Sequence, residues 1–293
     1  MMDIVQHLLD TFQQSPVFFL FIVALFSLLI GSFLNVVIYR LPIMMEREWT
    51  RECQEFLADK TPCHHTGPFN LSVPRSRCPT CGHAITILEN IPIISYLWLQ
   101  GKCAECKTTI SLRYPSIELI TGVASILVAW QFGVTWQTLG ALVFTWALIC
   151  LTMIDYDKML LPDDITLPLL WLGLLLNYFN LFVSLETAVI GAMLGYLSLW
   201  GVYHVFLILT KKQGMGHGDF KLLAAFGAWL GWEPILLIII LSSGVGAIVG
   251  ITLIVFSDHN KNKPIPFGPY LAAAGWIALM WGDSIIQAYL NIL

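Results

Sequence analysis

The chain has 293 residues, of which 57% are hydrophobic and only 12% are charged, and its mean hydropathy is +0.75. Soluble domains are about 45–50% apolar and about 25% charged, so this composition excludes a soluble globular protein. The formal net charge is −4, and we expect no nucleic-acid partner.

Apolar segments long enough to cross a membrane follow one another along most of the chain. Crossing a hydrocarbon core of roughly 30 Å takes about 20 helical residues. The pattern predicts an all-α polytopic membrane protein with about eight transmembrane helices. The predicted spans lie near 16–38, 115–133, 137–154, 166–183, 187–210, 234–256 and 267–290, with a shorter one at 220–232.

The segment ahead of the first span carries two acids, Asp3 and Asp10, and no Lys or Arg before Pro16. Secretory signal peptides begin with a basic region and end at a small-residue cleavage site. We therefore expect the first span to be retained in the mature protein.

Residues 40–113 form an insert between the first and second spans that is polar, contains Pro and Cys, and has no apolar run of span length. Nine of the 15 Lys and Arg residues lie between Arg40 and Arg113, and the others lie in or beside every second connection. Short cytoplasmic loops collect Lys and Arg, whereas translocated loops do not. The insert is therefore predicted to be cytoplasmic, and both termini lie on the opposite side.

The short segment at 220–232 decides this topology. Its residues, at 1.5 Å each, reach only about 20 Å. If the segment did not cross, Lys261 and Lys263 would lie outside the cytoplasm. We interpret it as a short span that is tilted or lies in a locally thinned bilayer.

Four cysteines of the insert form two CxxC pairs, and 21 residues separate the pairs. Two thiolates on one tight turn occupy adjacent corners of a Zn²⁺ tetrahedron, and a second turn closes it. Disulfides are the alternative, but the charge pattern places this loop in the reducing cytosol. We predict a zinc-ribbon-like insert with a structural Zn²⁺ site, because four protein ligands leave no open position for catalysis. Its ligands are Cys78, Cys81, Cys103 and Cys106.

Aspartates are concentrated in two stretches at the predicted cytoplasmic ends of spans, 154–164 and 216–219. Charged side chains at such positions are costly and need a reason. Asp164 and Asp219 each precede a helical run, where an N-cap acceptor is favoured. Asp155 ends a span, where the helix dipole opposes a carboxylate. Two carboxylates at one depth suggest an acid/base pair that activates water, and capping is the alternative.

At these residues the chain resembles the type IV prepilin peptidase family, and the match spans nearly the whole sequence. The GxGD motif alone also occurs in presenilin-like proteases, so the combination and order of the motifs carry the resemblance. The motifs are Gly31–Pro42, the two CxxC pairs, Glu89–Pro92, Arg113–Leu119, Ile154-Asp155 with Leu161–Asp163, Gly216–Asp219 and Pro264–Tyr270.

The resemblance implies that Asp155 and Asp219 are the catalytic pair of an aspartic protease. It also implies that the substrates are prepilins and pseudopilins with a short basic leader, cleaved after a Gly, and that S-adenosylmethionine then methylates the new N-terminus, usually Phe. The presence of all four cysteines favours methyl transfer. The sequence has no Gly-rich nucleotide fingerprint, so the residues that bind the methyl donor are not identified.

The expected organisation has three parts. Residues 1–39 hold the first span, residues 40–113 are the zinc-binding insert associated with methyl transfer, and residues 114–293 form the transmembrane aspartic peptidase domain. The resemblance implies a bacterial inner-membrane protein, and the distribution of Lys and Arg predicts a cytoplasmic catalytic face and periplasmic termini.

Three other functions fit parts of the pattern. A presenilin-like protease would cut inside a substrate helix, whereas Asp155 and Asp219 are expected at the cytoplasmic ends of their spans. A proton-coupled transporter with a zinc-stabilised loop would show paired halves, and the sequence has no such internal symmetry. A peptidase without methyltransferase activity is a third alternative.

Overall fold

A computed structural model of the chain describes residues 6, 10–57, 67–212, 214–256 and 265–291. These residues contain helices and isolated β-bridges but no strand, so the predicted all-α fold class is confirmed. A 3₁₀ turn, Leu88–Asn90, lies in the insert. The α-helices are α1 Pro16–Phe56, α2 Ile94–Trp98, α3 Arg113–Phe132, α4 Trp136–Lys158, α5 Asp163–Tyr178, α6 Leu185–Thr210, α7 His217–Leu230, α8 Ile235–Phe256 and α9 Gly268–Leu290.

Within the described part of the chain, six helices are long and apolar enough to cross a membrane, namely α1, α3, α4, α6, α8 and α9. The two other predicted spans are also helical, but α5 has 16 residues and α7 has 14. At 1.5 Å per residue they are about 24 Å and about 21 Å long.

The chain divides into two compact units, residues 1–130 and 131–293. In the first unit α1 continues without a break past residue 40 to Phe56, through Pro42. Helices α1 and α3 approach closely at Gly31, where a Cβ would lie 2.8 Å from the Cα of Glu118. Asn35 Nδ2 donates to the carbonyl of Tyr114 at 3.2 Å one turn away. The predicted domain boundaries at 40 and 113 stay predictions.

In the second unit ten of the 14 residues of α7 are buried, which shows that other helices surround it. A Cβ on Gly195 of α6 would lie 2.5 Å from the carbonyl oxygen of Leu223, and a Cβ on Gly227 would overlap the backbone of Gly191. Glycine at these positions lets the backbones of α6 and α7 approach each other, as small residues do between membrane helices. Whether α7 crosses the bilayer as a short span stays a prediction.

Side-chain hydrogen bonds hold the C-terminal end of α7 against α5. The buried Asn177 near the end of α5 donates to the carbonyls of Ala228 at 2.8 Å and Trp229 at 3.0 Å. Trp229 Nε1 in turn donates to the Leu169 carbonyl at 2.8 Å. These bonds satisfy carbonyls at the C-terminal end of α7 and fix its position against α5.

Candidate active site and metal centre

Asp155 lies in the last turn of α4 and is only 6% exposed. Its Oδ2 accepts a hydrogen bond from the backbone N–H of Gly268 at 2.9 Å. Gly268 is the first residue of α9. Free N–H groups and the positive end of the dipole at a helix N-terminus favour a carboxylate. A second helix therefore stabilises the charge that the C-terminal end of α4 opposes.

Asp219 is the third residue of α7 and is also 6% exposed. The N-cap residue of α7 is Gly216, so the N-cap role considered for Asp219 is wrong. Its carboxylate instead reaches back to the backbone of Gly216, as the third helical residue does in a capping box. Asp164 is not an N-cap either, because α5 begins at Asp163 after Pro162.

The two buried carboxyl groups lie close enough for the charge of Asp155 to act directly on Asp219. Leu161, in the connection between α4 and α5, packs between the N-terminal ends of α7 and α9. A Cβ on Gly218 would lie 2.8 Å from the Leu161 Cβ, and a Cβ on Gly268 would lie 3.1 Å from the Leu161 Cδ2. Glycine at 218 and 268 leaves room for this packing around the acid pair.

The neighbouring acid Asp163 has a different environment. Its side chain is half-exposed and pairs with Lys221 Nζ of α7 at 2.7 Å. The ion pair joins the start of α5 to the second turn of α7 and so helps to hold the helix that carries Asp219. Asp163 therefore supports the site, whereas Asp155 and Asp219 form its buried centre.

Gly268 was missed as a residue of the site by reasoning from charge and spacing. It lies more than a hundred residues from Asp155, and a backbone N–H has no side-chain signature. The available signal was Gly268-Pro269 directly before an apolar run, since Pro is favoured in the first helical turn. That pair marks a helix N-terminus that can face an anion.

The four predicted ligand cysteines of the insert converge. Their sulfur atoms, from Cys78, Cys81, Cys103 and Cys106, all lie within 4.8 Å of one another. Cys78 Sγ and Cys106 Sγ are 3.7 Å apart, and Cys81 Sγ and Cys103 Sγ are 3.9 Å apart. Each short distance joins one sulfur of the first knuckle to one of the second, so the cluster closes across the two turns and can hold a metal ion.

The two knuckles have the same backbone design. Cys78 N–H donates to the His83 carbonyl at 2.9 Å, and Cys103 N–H donates to the Thr108 carbonyl at 2.8 Å. Each turn passes through one left-handed residue, Gly82 in the first and Lys107 in the second. The two CxxC pairs, which were predicted as a ligand set, therefore also share one backbone structure.

Local hydrogen bonds favour the thiolate form of two of these cysteines. Backbone N–H groups of Cys81 and Thr80 lower the pKa of Cys78. Hydrogen bonds with the hydroxyl of Thr108 and, to a smaller extent, with the backbone of Thr108 lower the pKa of Cys106 to about 6. Thiolates are the form that binds metals, so these hydrogen bonds favour coordination by Cys78 and Cys106. At Cys81 the hydrogen bond from the His83 backbone is outweighed by burial and by the neighbouring thiols, which raise the pKa to about 12.

His83 connects the two knuckles outside the sulfur cluster. Its Nε2 lies 3.1 Å from the carboxylate of Glu89, and its Nδ1 lies 3.1 Å from Glu105 Oε2. Glu89 also accepts a hydrogen bond from the Thr86 N–H at 2.8 Å. The contact with Glu105 links the first knuckle to the second.

Comparison with known proteins gives one consistent picture. A model of the "Bacterial Peptidase A24 N-terminal domain" matches residues 25–132, and a model of the "Type IV leader peptidase family" matches residues 142–251. The chain is 58% identical to a prepilin leader peptidase/N-methyltransferase of Aeromonas hydrophila, over 97% of this chain and 98% of that protein.

Proteins of the same name in Pseudomonas aeruginosa and Legionella pneumophila are more distant. The first is 53% identical over 97% of this chain and 98% of its own length. The second is 46% identical over 94% of this chain and 96% of its own length. No solved structure matches the chain.

Proposed function

Because the chain belongs to the type IV leader peptidase family, we propose that it removes the basic leader peptide of type IV prepilins and type II secretion pseudopilins and then N-methylates the new N-terminus. The observation that carries this proposal is the meeting of two buried carboxyl groups, Asp155 and Asp219, each beside a helix N-terminus. The curated relatives have both activities in their name and match nearly the whole chain, which supports both halves.

In the proposed peptidase step, Asp155 and Asp219 act as an aspartic pair. Such a pair shares one proton, so that one carboxylate accepts a proton from the attacking water while the other carboxyl group donates toward the scissile carbonyl oxygen. Cleavage follows a Gly of the leader. The N–H of Gly268 holds Oδ2 of Asp155, which restricts the orientation of that carboxyl group.

In the proposed methyl transfer, the amine released by cleavage, usually that of Phe, attacks the methyl carbon of S-adenosylmethionine, and the bond from that carbon to sulfur breaks to release S-adenosylhomocysteine. The amine must lose its proton before it attacks, because only the neutral form has a free lone pair. We assign no residue of this chain to the methyl donor. The insert at 40–113 is the proposed location of this activity.

We propose Zn²⁺ as the metal that Cys78, Cys81, Cys103 and Cys106 hold. A Zn–S distance of about 2.3 Å in a tetrahedron requires sulfur atoms about 3.8 Å apart. The two short sulfur separations of 3.7 Å and 3.9 Å fit this requirement. With four protein ligands the ion stabilises the insert and leaves no position for a substrate.

The protein is a multi-pass membrane protein, and we propose that its catalytic face is cytoplasmic and its termini are periplasmic. The distribution of Lys and Arg supports this orientation. S-adenosylmethionine and the basic leader are then on the same side of the membrane as the acid pair and the insert. Cleavage and methylation follow one another without transfer of the substrate across the bilayer.

Mass spectrometry of a purified prepilin incubated with the reconstituted protein and S-adenosylmethionine tests the proposal. We expect loss of the leader after Gly and a gain of one methyl group on the new N-terminal residue. A cut in the middle of the substrate helix would instead indicate a presenilin-like protease. Cleavage without methylation would retain the first half of the proposal and reject the second.

A further inference from the structure

A group of large apolar side chains on the insert is exposed. Ile87, Leu88, Ile94, Leu97 and Trp98 are between 61% and 89% exposed, and we call them the apolar face of the insert. Three of them, at positions 94, 97 and 98, lie on one side of α2 because residues three and four apart share a helix face. Clusters of exposed apolar residues mark surfaces that bind a partner or a membrane.

Two contacts tie this segment to the helices α1 and α3. The backbone N–H of Ile93, directly before α2, donates to Glu118 Oε2 of α3 at 2.8 Å. Ser32 Oγ of α1 lies 3.5 Å from Asn90 Oδ1 at the end of the 3₁₀ turn. Glu118 is only 8% exposed, and the first contact is part-buried.

The position of these contacts along the helices gives their depth. Arg40 follows the uncharged apolar run of α1, and Arg113 begins α3, so the two arginines mark one membrane surface. Ser32 lies eight residues before Arg40 and Glu118 lies five residues after Arg113, which correspond to about 12 Å and about 7.5 Å along the helices. The insert is therefore anchored deeper in the membrane than the two arginines.

The surface beside these anchors is the one that α1 and α3 present to lipid. Phe33 and Leu119, each next in sequence to an anchoring residue, are 49% and 54% exposed. The contacts of Asn90 and Ile93 bring the adjoining apolar face of the insert close to this depth. Interfacial helices bury an apolar face about 5–10 Å into the boundary between headgroups and acyl chains, often with Trp at that level.

We propose that the apolar face of the insert is a membrane-insertion element, whose partner is the acyl-chain region of the leaflet at the level of Arg40 and Arg113. The zinc-binding knuckles on either side of it are then held against the bilayer surface. This role is independent of which reaction the protein catalyses.

Photo-cross-linking of the full-length protein in nanodiscs of phosphatidylethanolamine and phosphatidylglycerol tests this proposal. Leu97 and Leu57 are replaced, one at a time, by p-benzoylphenylalanine. The two residues are a matched pair, because both are leucines with similar exposure, 69% and 71%. They differ in place: Leu57 follows the end of α1, 17 residues beyond Arg40, or about 25 Å along the helix.

We expect lipid adducts at position 97, on acyl chains and not on headgroups, with a yield at least about fivefold higher than at position 57. Equal yields at the two positions would overturn the proposal. Adducts at position 97 with a protein instead of lipid, including an added prepilin, would also overturn it and assign the face to a protein partner.

A second pair of variants tests the anchor with the probe at position 97. Glu118→Gln keeps an oxygen that accepts from the Ile93 N–H, whereas Glu118→Ala removes the acceptor. We expect the yield of lipid adducts to persist in Glu118→Gln and to fall severalfold in Glu118→Ala. Unchanged yield in both variants would show that Glu118 does not hold the element at this depth.

Discussion

At the scale of single residues, the acid pair makes the sharpest prediction. We expect Asp155→Asn and Asp219→Asn each to reduce prepilin cleavage by about a thousandfold or more, because neither member of a proton-sharing pair can be spared. Cleavage is measured by the mass of the processed substrate, and membrane insertion is checked separately.

The controls for this prediction are two other acids near the site. Asp163→Asn weakens a half-exposed ion pair with Lys221, and such pairs contribute only about 0–1 kcal/mol. We expect Asp163→Asn and Asp157→Asn to retain measurable activity. Normal turnover in Asp155→Asn or Asp219→Asn would reject the assignment, and loss in Asp157→Asn alone would move the site by two residues.

Gly268 supplies a second prediction, which reasoning from charge and spacing did not make. A Cβ at this position would lie 2.6 Å from Asp155 Oδ2, so Gly268→Ala must displace the carboxylate. A displacement of about 1 Å at a reacting group costs about a hundredfold in rate, and we expect a loss of that size in kcat/KM.

The matched control is Gly282→Ala on the same helix. A Cβ there would meet only the Ala278 Cβ, at 3.8 Å, which is ordinary contact. This variant is expected to cleave prepilin at the normal rate. Equal activity of the two variants would show that the contact between Asp155 and Gly268 does not matter for cleavage.

At the scale of helices, the close contact between α6 and α7 determines where Asp219 lies. Gly227→Ala would place a methyl group on the backbone of Gly191, whereas Gly201 on α6 has nothing within 4 Å of its Cβ position. Overpacking costs about 1–3 kcal/mol, so we expect Gly227→Ala to lower the Tm and to reduce cleavage.

Gly201→Ala is the control, because Ala has a helix propensity about 1 kcal/mol better than that of Gly. Its Tm should be unchanged or slightly higher. Tm is measured for both variants by thermal unfolding in the same detergent. A normal Tm for Gly227→Ala would mean that α6 and α7 separate without cost, and that Gly227 has no packing role.

The zinc knuckles are the second feature at this scale. We expect about one Zn²⁺ per chain, lost in Cys106→Ser and retained in Cys53→Ser, because four thiolates close the site and Cys53 lies outside the cluster. Metal content is measured by mass spectrometry of the purified protein. Chelation should reduce methyl transfer more than cleavage, since Asp155 and Asp219 lie outside the insert.

Two results would contradict this prediction. A protein purified without metal that methylates normally would exclude a structural role for Zn²⁺. Equal loss of methylation and cleavage on chelation would mean that the metal supports both activities. Restoring activity by adding Zn²⁺ back to the chelated protein is the control for damage by the chelator.

At the scale of the whole molecule, the orientation is testable. Because Lys and Arg collect in cytoplasmic loops, we expect alkaline phosphatase fused after Leu293 to be active, since this enzyme requires the periplasm. A fusion that replaces the chain after Lys212 should be inactive. An inactive C-terminal fusion in a normally expressed protein would reverse the predicted position of that terminus.

Much of the helical architecture and the two site clusters could be predicted from the sequence. Apolar length is a direct signal for a span, and CxxC spacing is a direct signal for a metal knuckle, so both appear without tertiary information. The extent of α1 could not be predicted in this way. Its polar part, up to Phe56, has no apolar run and contains Pro42, yet ion pairs such as Arg51 with Glu48 and Glu55 lie along it.

The reason for a carboxylate at position 155 also required the structure. The sequence showed that the end of α4 opposes this charge, but the stabilising N–H belongs to a helix that begins 113 residues later. The Gly268-Pro269 pair indicates where that helix begins, but nothing in the sequence indicates that its first N–H contacts Asp155. The same holds for Gly191 and Gly227, whose roles depend on which helices become neighbours.

The burial of α7 has a consequence for the conditions under which the protein works. Lipid acyl chains act mainly on the outer helices, whereas Asp219 sits on a helix whose surroundings are other side chains. A bacterium that adjusts the length of its fatty acids with temperature changes the thickness of the membrane that the outer helices must match. The short helix that carries Asp219 is packed against other helices, so a change in bilayer thickness reaches it only through them.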